Sequence, residues 1–401
     1  MIERVGQGRM LAGLEPTRLA VRRSAGGFTF VLVWTLSVIG STAVLAQTAG
    51  SEGAPERAAT ARQVEQTQRE EGEAILALAD AAMAGAANKV GPSDFALRWQ
   101  NDFVKAQRGT FVPFTLTVDA TPLARRSALV YVRAIRRSVA SPDRRRPERE
   151  PQPGGAEAAY PVDAIFPVDL MPASAGVSDA AGSRISRGFS VAPGEYEVIV
   201  VMRERVDPAT PRARPKAAVM RQPLSVPDFR TSELTTSSII VADRIGALAE
   251  PVPANQLAER PYVVGRHEIT PAADRRFGRD EELIVVFLVY NPMVSPEGQF
   301  DVRVEYHFFR KGVAGAPAGD GQAAQPAGRA GEHYFNRTEP QRFNRALMGA
   351  SYDPGTGEPV MAGQVVPLAG FEAGDYRLDV QVTDLLSGKS ISRDVLFTVG
   401  S

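Results

Sequence analysis

The chain is 401 residues long, contains no cysteine, and balances 46 Lys and Arg against 46 Asp and Glu. The missing thiols exclude disulfides, thiol catalysis, thiolate metal sites and a lipid-modified cysteine. The even charge leaves no global field to gather a polyanion, so nucleic acid is not an expected partner.

Phe28 to Ile39 is an uncharged apolar stretch behind Arg18, Arg22 and Arg23, and Val44-Leu45-Ala46 offers small residues where a signal peptidase reads. Residues 1–46 are therefore expected to be a signal peptide, and the mature chain to be periplasmic or secreted. The competing reading keeps Phe28 to Ala46 as an uncleaved anchor, the one way a membrane enters as partner; its Ser and Thr content and short apolar centre argue against it. Arg22-Arg23 starts a twin-arginine pattern, but Ser24-Ala-Gly-Gly27 stands where apolar residues belong. The leader is long for a signal, which makes Met10 an alternative start.

Residues 47–93 form an N-terminal segment with a predicted helix from about Glu56 to Ala84, ended by Gly85. Ile75, Leu78, Ala79, Ala82 and Met83 share one face, away from Arg69, Glu70, Glu73 and Asp80. That stripe is expected to pack on the chain's own first sandwich; docking to a partner or to another copy is the alternative.

The first sandwich is assigned to residues 94–228, with strands at Phe111–Val118, Ala128–Ile135, Ala164–Val168, Ile185–Val191, Tyr196–Glu204 and Ala217–Val226. Val112, Phe114, Leu116 and Val118 alternate with Pro113, Thr115 and Thr117, so one face is buried. Pro142 to Gly155 reads as a loop too poor in apolar residues to pack, and Pro208 to Pro215 as a hairpin tip.

The second sandwich is assigned to residues 229–401. Asp228 to Ala258 reads as a link with a strand at Ser237–Ala242. Strands follow at Tyr262–Ile269, Glu282–Tyr290, Phe300–Arg310, Val365–Phe371, Tyr376–Thr383 and Ile391–Val399. Val302, Val304, Tyr306 and Phe308 face one way; Asp301, Arg303, Glu305 and His307 face the other. Gly312 to Gly331 is a Gly, Ala and Pro insertion.

One motif occurs twice. Gly194-Glu-Tyr196-Glu-Val198 returns as Gly374-Asp-Tyr376-Arg-Leu378, with two apolar strands upstream and one strand downstream of each, as a duplicated domain requires. The glycine permits a sharp turn into a strand and the tyrosine then points into the core. The pattern resembles the tyrosine corner of immunoglobulin-like sandwiches, whose phenol bonds back to nearby backbone. Val198 and Leu378 stand where antibody domains carry a cysteine, so apolar packing replaces the disulfide and antibody-type function is unsupported. Over residues 94–228 and 237–399 the resemblance implies an all-β fold. The fold class it implies is two tandem Ig-like, fibronectin III-type antiparallel β-sandwiches, similar to those of bacterial exported proteins, preceded by the expected signal peptide and one α-helix. It implies no activity, because such sandwiches host many unrelated roles.

Two surfaces stand out for function. Ile199 and Val201 are apolar where the second copy carries Asp379 and Gln381; Arg377 to Thr383 reads as a solvated face. Ile284, Val286 and Leu288 make the strand 282–290 apolar on both sides. These five residues form the candidate interaction patch, expected to be covered either within the chain or by a protein partner. Arg125 to Arg149 carries a dense arginine cluster, read as a solvated loop rather than a polyanion site because no aromatics interleave it.

Catalytic signatures are absent from the sequence. His267, His307 and His333 lack metal-ligand spacing, no Gly-x-Ser-x-Gly elbow occurs, and Asp353-Pro-Gly-Thr-Gly357 is a turn rather than a phosphate loop. Asn336-Arg-Thr338 matches a glycosylation acceptor, a tripeptide common by chance. No cofactor or metal is expected. The expected role is non-enzymatic, a structural or protein-interaction protein of the cell envelope. The rival is glycan binding on exposed Trp99, Tyr160, Tyr262, Tyr334 or Tyr352. A hydrolase built on Glu281, Glu282 or Asp301 is the third reading.

Overall fold

A computed structural model describes residues 54–85, 91–137, 160–170, 182–206, 214–312, 328–349 and 352–400. The expected signal segment, the loop from Pro142 to Gly155, most of the hairpin tip near Pro208 and most of the insertion after Gly312 lie outside these residues. The first described element is helix α1 (Ala54–Ala84). Strands β1 (Leu97–Asn101), β2 (Val104–Lys105), β3 (Thr110–Val118), β4 (Ser127–Arg136), β5 (Val162–Asp169), β6 (Ser183–Val191), β7 (Gly194–Glu204) and β8 (Ala217–Val226) make the first sandwich. Its sheets are β1-β3-β6, with β2 also on β3, and β5-β4-β7-β8.

The second sandwich repeats that order. Strands β9 (Thr235–Thr236), β10 (Ile240–Ala247), β11 (Val263–Val264), β12 (His267–Pro271), β13 (Arg276–Phe277), β14 (Glu282–Tyr290), β15 (Asp301–Lys311), β16 (Glu332–Arg337) and β17 (Gln341–Asn344) lead to the short helix α2 (Arg345–Met348). Strands β18 (Val360–Pro367), β19 (Gly374–Asp384) and β20 (Ser390–Val399) complete it. One sheet contains β10-β14-β18 extended by β12 and β11; the other runs β13-β20-β19-β15, with β16 and β17 side by side along β15. All pairings are antiparallel except β13 with β20.

Period-2 alternation fills both cores. Val112, Phe114, Leu116 and Val118 meet Val130, Val132, Val198 and Val200 between the first pair of sheets. Val302, Val304, Tyr306 and Phe308 meet Val285, Phe287, Leu378 and Val380 between the second. Each such side chain contributes about 1.5–3 kcal/mol on full burial, and these ladders hold the fold without a disulfide.

Three expectations need correction. The strand expected at Ser237–Ala242 runs from Ile240 to Ala247 instead, as β10, which pairs with β12 and β14. The strand expected at Val365–Phe371 runs from Val360 to Pro367 instead. Leu368 and Phe371 are buried, but in a turn where the Phe371 N–H donates to the Leu368 carbonyl at 2.9 Å. The supposed solvated face of β19 is interrupted by Arg377, which is 3% exposed. It lies 4.2 Å from the Phe309 ring and bonds Glu332 and Asp394.

Candidate functional site

The duplicated corners are equivalent in three dimensions. Tyr196 and Tyr376 are fully buried, and each hydroxyl donates at 2.8 Å to the carbonyl four residues back, Ala192 or Glu372. Gly194 and Gly374 take φ of +146° and +153°, a region an L side chain rarely enters. Each corner also has an arginine that the motif did not reveal. Arg136 lies across from Tyr196 and Arg310 across from Tyr376. Their guanidiniums donate to the carbonyls of Pro193 and Ala373, at 3.4 and 2.9 Å.

The proposed patch does not form one free surface. Ile199 and Val201 lie under α1, whose Ile75, Ala79 and Ala82 are buried against them and Tyr131. Small alanines let the helix approach closely, and polar groups clamp it. The buried Glu71 carboxylate accepts the Val206 N–H and the Arg205 guanidinium. Arg221 donates to the carbonyls of Ala82 and Gly85, placing positive charge at the helix C-terminus. The same arginine, ahead of opposing desolvation, holds the Glu197 carboxyl below its ordinary range.

Ile284 and Val286 pack with Ile240, Ala242 and Tyr262, and Leu288 packs with Phe229, Tyr290 and the first sandwich's Phe103 and Val104. All five residues are thus covered from within the chain. The arginine cluster is likewise dispersed: Arg133 is buried and bonds Asp80 at 2.9 Å, Arg136 serves the corner, and Arg137 pairs with Glu197 at 3.3 Å. Arg144, Arg145, Arg146 and Arg149 lie outside the described residues.

Of the aromatic candidates, Tyr262 and Tyr352 are buried, Tyr334 is half-buried against Phe309, and Trp99 is half-buried, stacked on Phe114 at 4.3 Å. Tyr160 is exposed, with the Arg133 guanidinium 4.3 Å from its ring. Asp301 pairs with Arg342, and Glu281 accepts the Gly278 N–H. Among the described residues no three His, Asp or Glu side chains gather at metal-binding distance. His307 is buried with no partner on Nδ1 among the described residues, and burial holds its pKa below the ordinary value. A cleft of about 340 Å³ opens near the second corner, between Arg276, Lys311, Asp375 and Leu396.

What sequence reasoning missed lies at the opposite end of the second sandwich. Asp384, 1% exposed, ends β19. Its carboxylate accepts the N–H groups of Met293 at 2.9 Å, Leu386 at 3.0 Å and Ser387 at 3.4 Å, and the Ser387 hydroxyl. The β14–β15 and β19–β20 loops are thereby tied together. Arg345 donates to the Gly298 carbonyl and ties the α2 turn to the same framework. On this fixed scaffold Met293 is 51% exposed and Leu347 68%, with Leu385 and Leu386 also exposed. The sequence signal was Leu385-Leu386 inside Asp-Leu-Leu-Ser-Gly-Lys, two leucines where turn chemistry favours polar residues.

No family model and no curated protein matches the chain. Among solved structures it is similar to a Salmonella alpha-2-macroglobulin mutant at 11% identity over 77% of its length, with a TM-score of 0.18. It spans only 15% of that protein. A membrane-anchored protein of Corynebacterium diphtheriae is similar at 10% identity over 76% of the chain and 59% of that protein, with a TM-score of 0.18. Red sea bream transglutaminase is similar at 11% identity over 78% of the chain and 32% of the enzyme, with a TM-score of 0.17. Scores this low carry no functional argument.

Proposed function

We propose that this protein is an exported, non-enzymatic component of the cell envelope that holds a protein partner through the loop end of its second sandwich. The observation that carries the reading is the set of exposed apolar side chains, Met293, Leu385 and Leu386 on loops fixed by a buried carboxylate and Leu347 on the α2 turn held by Arg345. Apolar groups on a preorganised scaffold lose little entropy on binding. Residues 119–126 of the first sandwich, the loop that corresponds to the one carrying Met293, have no exposed large apolar side chain. The immunoglobulin-like resemblance belongs with this reading, since such sandwiches present contact loops at their ends. Export rests on the apolar stretch from Phe28 to Ile39 behind its arginines.

A photo-reactive amino acid placed at Leu347 or Leu386 in the native host tests the proposal. Crosslinking to one discrete protein from both positions, and not from the exposed Arg393 on β20, is the expected result. Retention on a glycan array that survives Leu347→Asp with Leu386→Asp, with no protein adduct, would replace this reading with glycan binding. Recovery of the chain in the cytoplasm would remove the envelope assignment.

A further inference from the structure

Asp102 lies at the bend between β1 and β2 and is 6% exposed. Its backbone N–H donates to the Pro113 carbonyl at 2.9 Å, which fixes it to the first sandwich. Its carboxylate instead looks to the second: the Tyr262 hydroxyl donates to Oδ2 at 3.2 Å. Tyr262 is buried among Ile240, Ala242, Ile269 and Val286 of the second sandwich, and its hydroxyl also meets the Thr115 side chain of the first. The phenol is therefore a plug driven from one sandwich into the other.

The charged groups around this plug give the carboxylate little support. Arg275, from the second sandwich, faces Asp102 but forms no ion pair with it among the described residues. Arg184, on β6, acts on Tyr262 but is committed to Asp243, at 3.1 Å, and to the Pro271 carbonyl. Asp274 and Glu281 act on Asp243 and add further negative charge. A buried carboxylate with one neutral donor is costly to ionise.

We propose that this junction is a proton-controlled latch, in which the two sandwiches dock most tightly while Asp102 is protonated and loosen when it ionises. Burial, outweighing the Tyr262 bond and Arg275, pushes the Asp102 carboxyl up to about 6 from its ordinary 3.8. When the sandwiches part, the group meets water and regains the ordinary value. The docked form thus binds the proton more tightly. Docking is at full strength below about pH 4, is lost progressively as pH rises to about 6, and is level above that. A two-unit difference weakens docking about 100-fold between pH 4 and pH 7.

Hydrogen exchange on the full mature chain reads this opening even when it is rare. Three of the N–H groups that cross the junction serve as reporters: Ser238 to the Phe103 carbonyl at 3.0 Å, Lys105 to the Tyr290 hydroxyl at 3.1 Å, and Gly188 to the Ala258 carbonyl at 2.9 Å. After correction for the intrinsic exchange rate, their opening constants should rise about 100-fold from pH 4 to pH 7. Amides inside the β4–β7 ladder should not follow. In Asp102→Asn the three junction amides should stay protected and flat across this range. Tyr262→Phe keeps the charge but removes its donor, and should enlarge the rise. A flat wild-type profile, an Asp102→Asn profile that follows wild type, or a Tyr262→Phe rise no larger than wild type would each overturn the latch.

Discussion

Asp384 stands in the second sandwich where Glu204 stands in the first. Each ends the strand that opens on a corner glycine, eight residues beyond its tyrosine, and each is buried. Glu204 accepts the N–H groups of Ala124, Arg125 and Lys216 as Asp384 accepts those of Met293, Leu386 and Ser387. One strand in each copy therefore carries a phenol latch at one end and a carboxylate staple at the other. Asp384→Ala leaves several loop N–H groups without an acceptor and should cost at least about 2 kcal/mol, with Glu204→Ala similar in direction. Asp384→Asn, which keeps one acceptor oxygen, should recover part of the loss. Equilibrium unfolding in urea checks the series.

Equivalent corners should respond equally to loss of their hydroxyls. Tyr196→Phe and Tyr376→Phe each remove one 2.8 Å bond and should each cost about 0.5–1.5 kcal/mol. The glycines should not respond equally. A Cβ at residue 374 would lie 3.2 Å from Arg310 Nε, whereas one at 194 would lie 3.6 Å from Arg136 Nε, an ordinary contact. Both alanine variants pay for a positive φ, but Gly374→Ala must also displace the guanidinium that holds the Ala373 carbonyl. Thermal unfolding should rank Gly374→Ala below Gly194→Ala; the reverse order would remove the arginine from the corner's design.

The architecture was legible wherever a strand alternates over a buried face. The segment Phe300–Arg310, with Val302, Val304, Tyr306 and Phe308 on one face, was read to within one residue of the observed Asp301–Lys311, and the helix stripe of Ile75, Ala79 and Ala82 found its sandwich. Strands without that signal were missed. Leu97-Arg-Trp-Gln-Asn101 is half-buried along its length, and Glu332–Arg337 is half-buried at a sheet edge, so neither shows a clean period. Arg377 defeated pattern reading for a different reason: its charge suggests solvent, but Glu332 and Asp394, distant in sequence, neutralise it under the Phe309 ring. The loop end was illegible as a site because Met293, Leu347 and Leu386 come from two loops and the α2 turn, which Asp384 and Arg345 tie down. The acidic residue eight positions after each tyrosine was visible in the sequence, but its meaning depends on N–H groups that only the fold supplies.

Helix α1 covers apolar surface that would otherwise be open. Ile75 is fully buried between Ile199 and Val201, so Ile75→Ala should weaken docking by about 2–5 kcal/mol. The two sandwich cores lie apart from this contact and should keep their own stability. Limited proteolysis should then cut within residues 62–84 while the sandwiches persist, and a hydrophobic dye should bind the uncovered sheet. Unchanged resistance to cleavage would show that Glu71, Arg133 and Arg221 hold the helix without its apolar face.

The Arg377 and Glu332 pair gives a pH test with a sign. Both side chains are nearly buried, 2.7 Å apart. The arginine's hydrogen bonds, stronger here than burial, hold the Glu332 carboxyl below its ordinary value. The folded state therefore releases this proton more readily than the unfolded chain. The pair's stabilisation is present above the ordinary carboxylate value of about 4.3 and is lost as pH falls through the depressed one. Arg377→Met strands a buried carboxylate and should cost about 3–5 kcal/mol at pH 7. In that variant burial raises the Glu332 carboxyl instead, so acid relieves the strain by protonating it. The gap between wild-type and variant melting temperatures should consequently be widest at neutral pH and should narrow steadily as pH is lowered toward 4. A gap that stays constant would mean that the guanidinium acts by packing on Phe309 rather than through its charge.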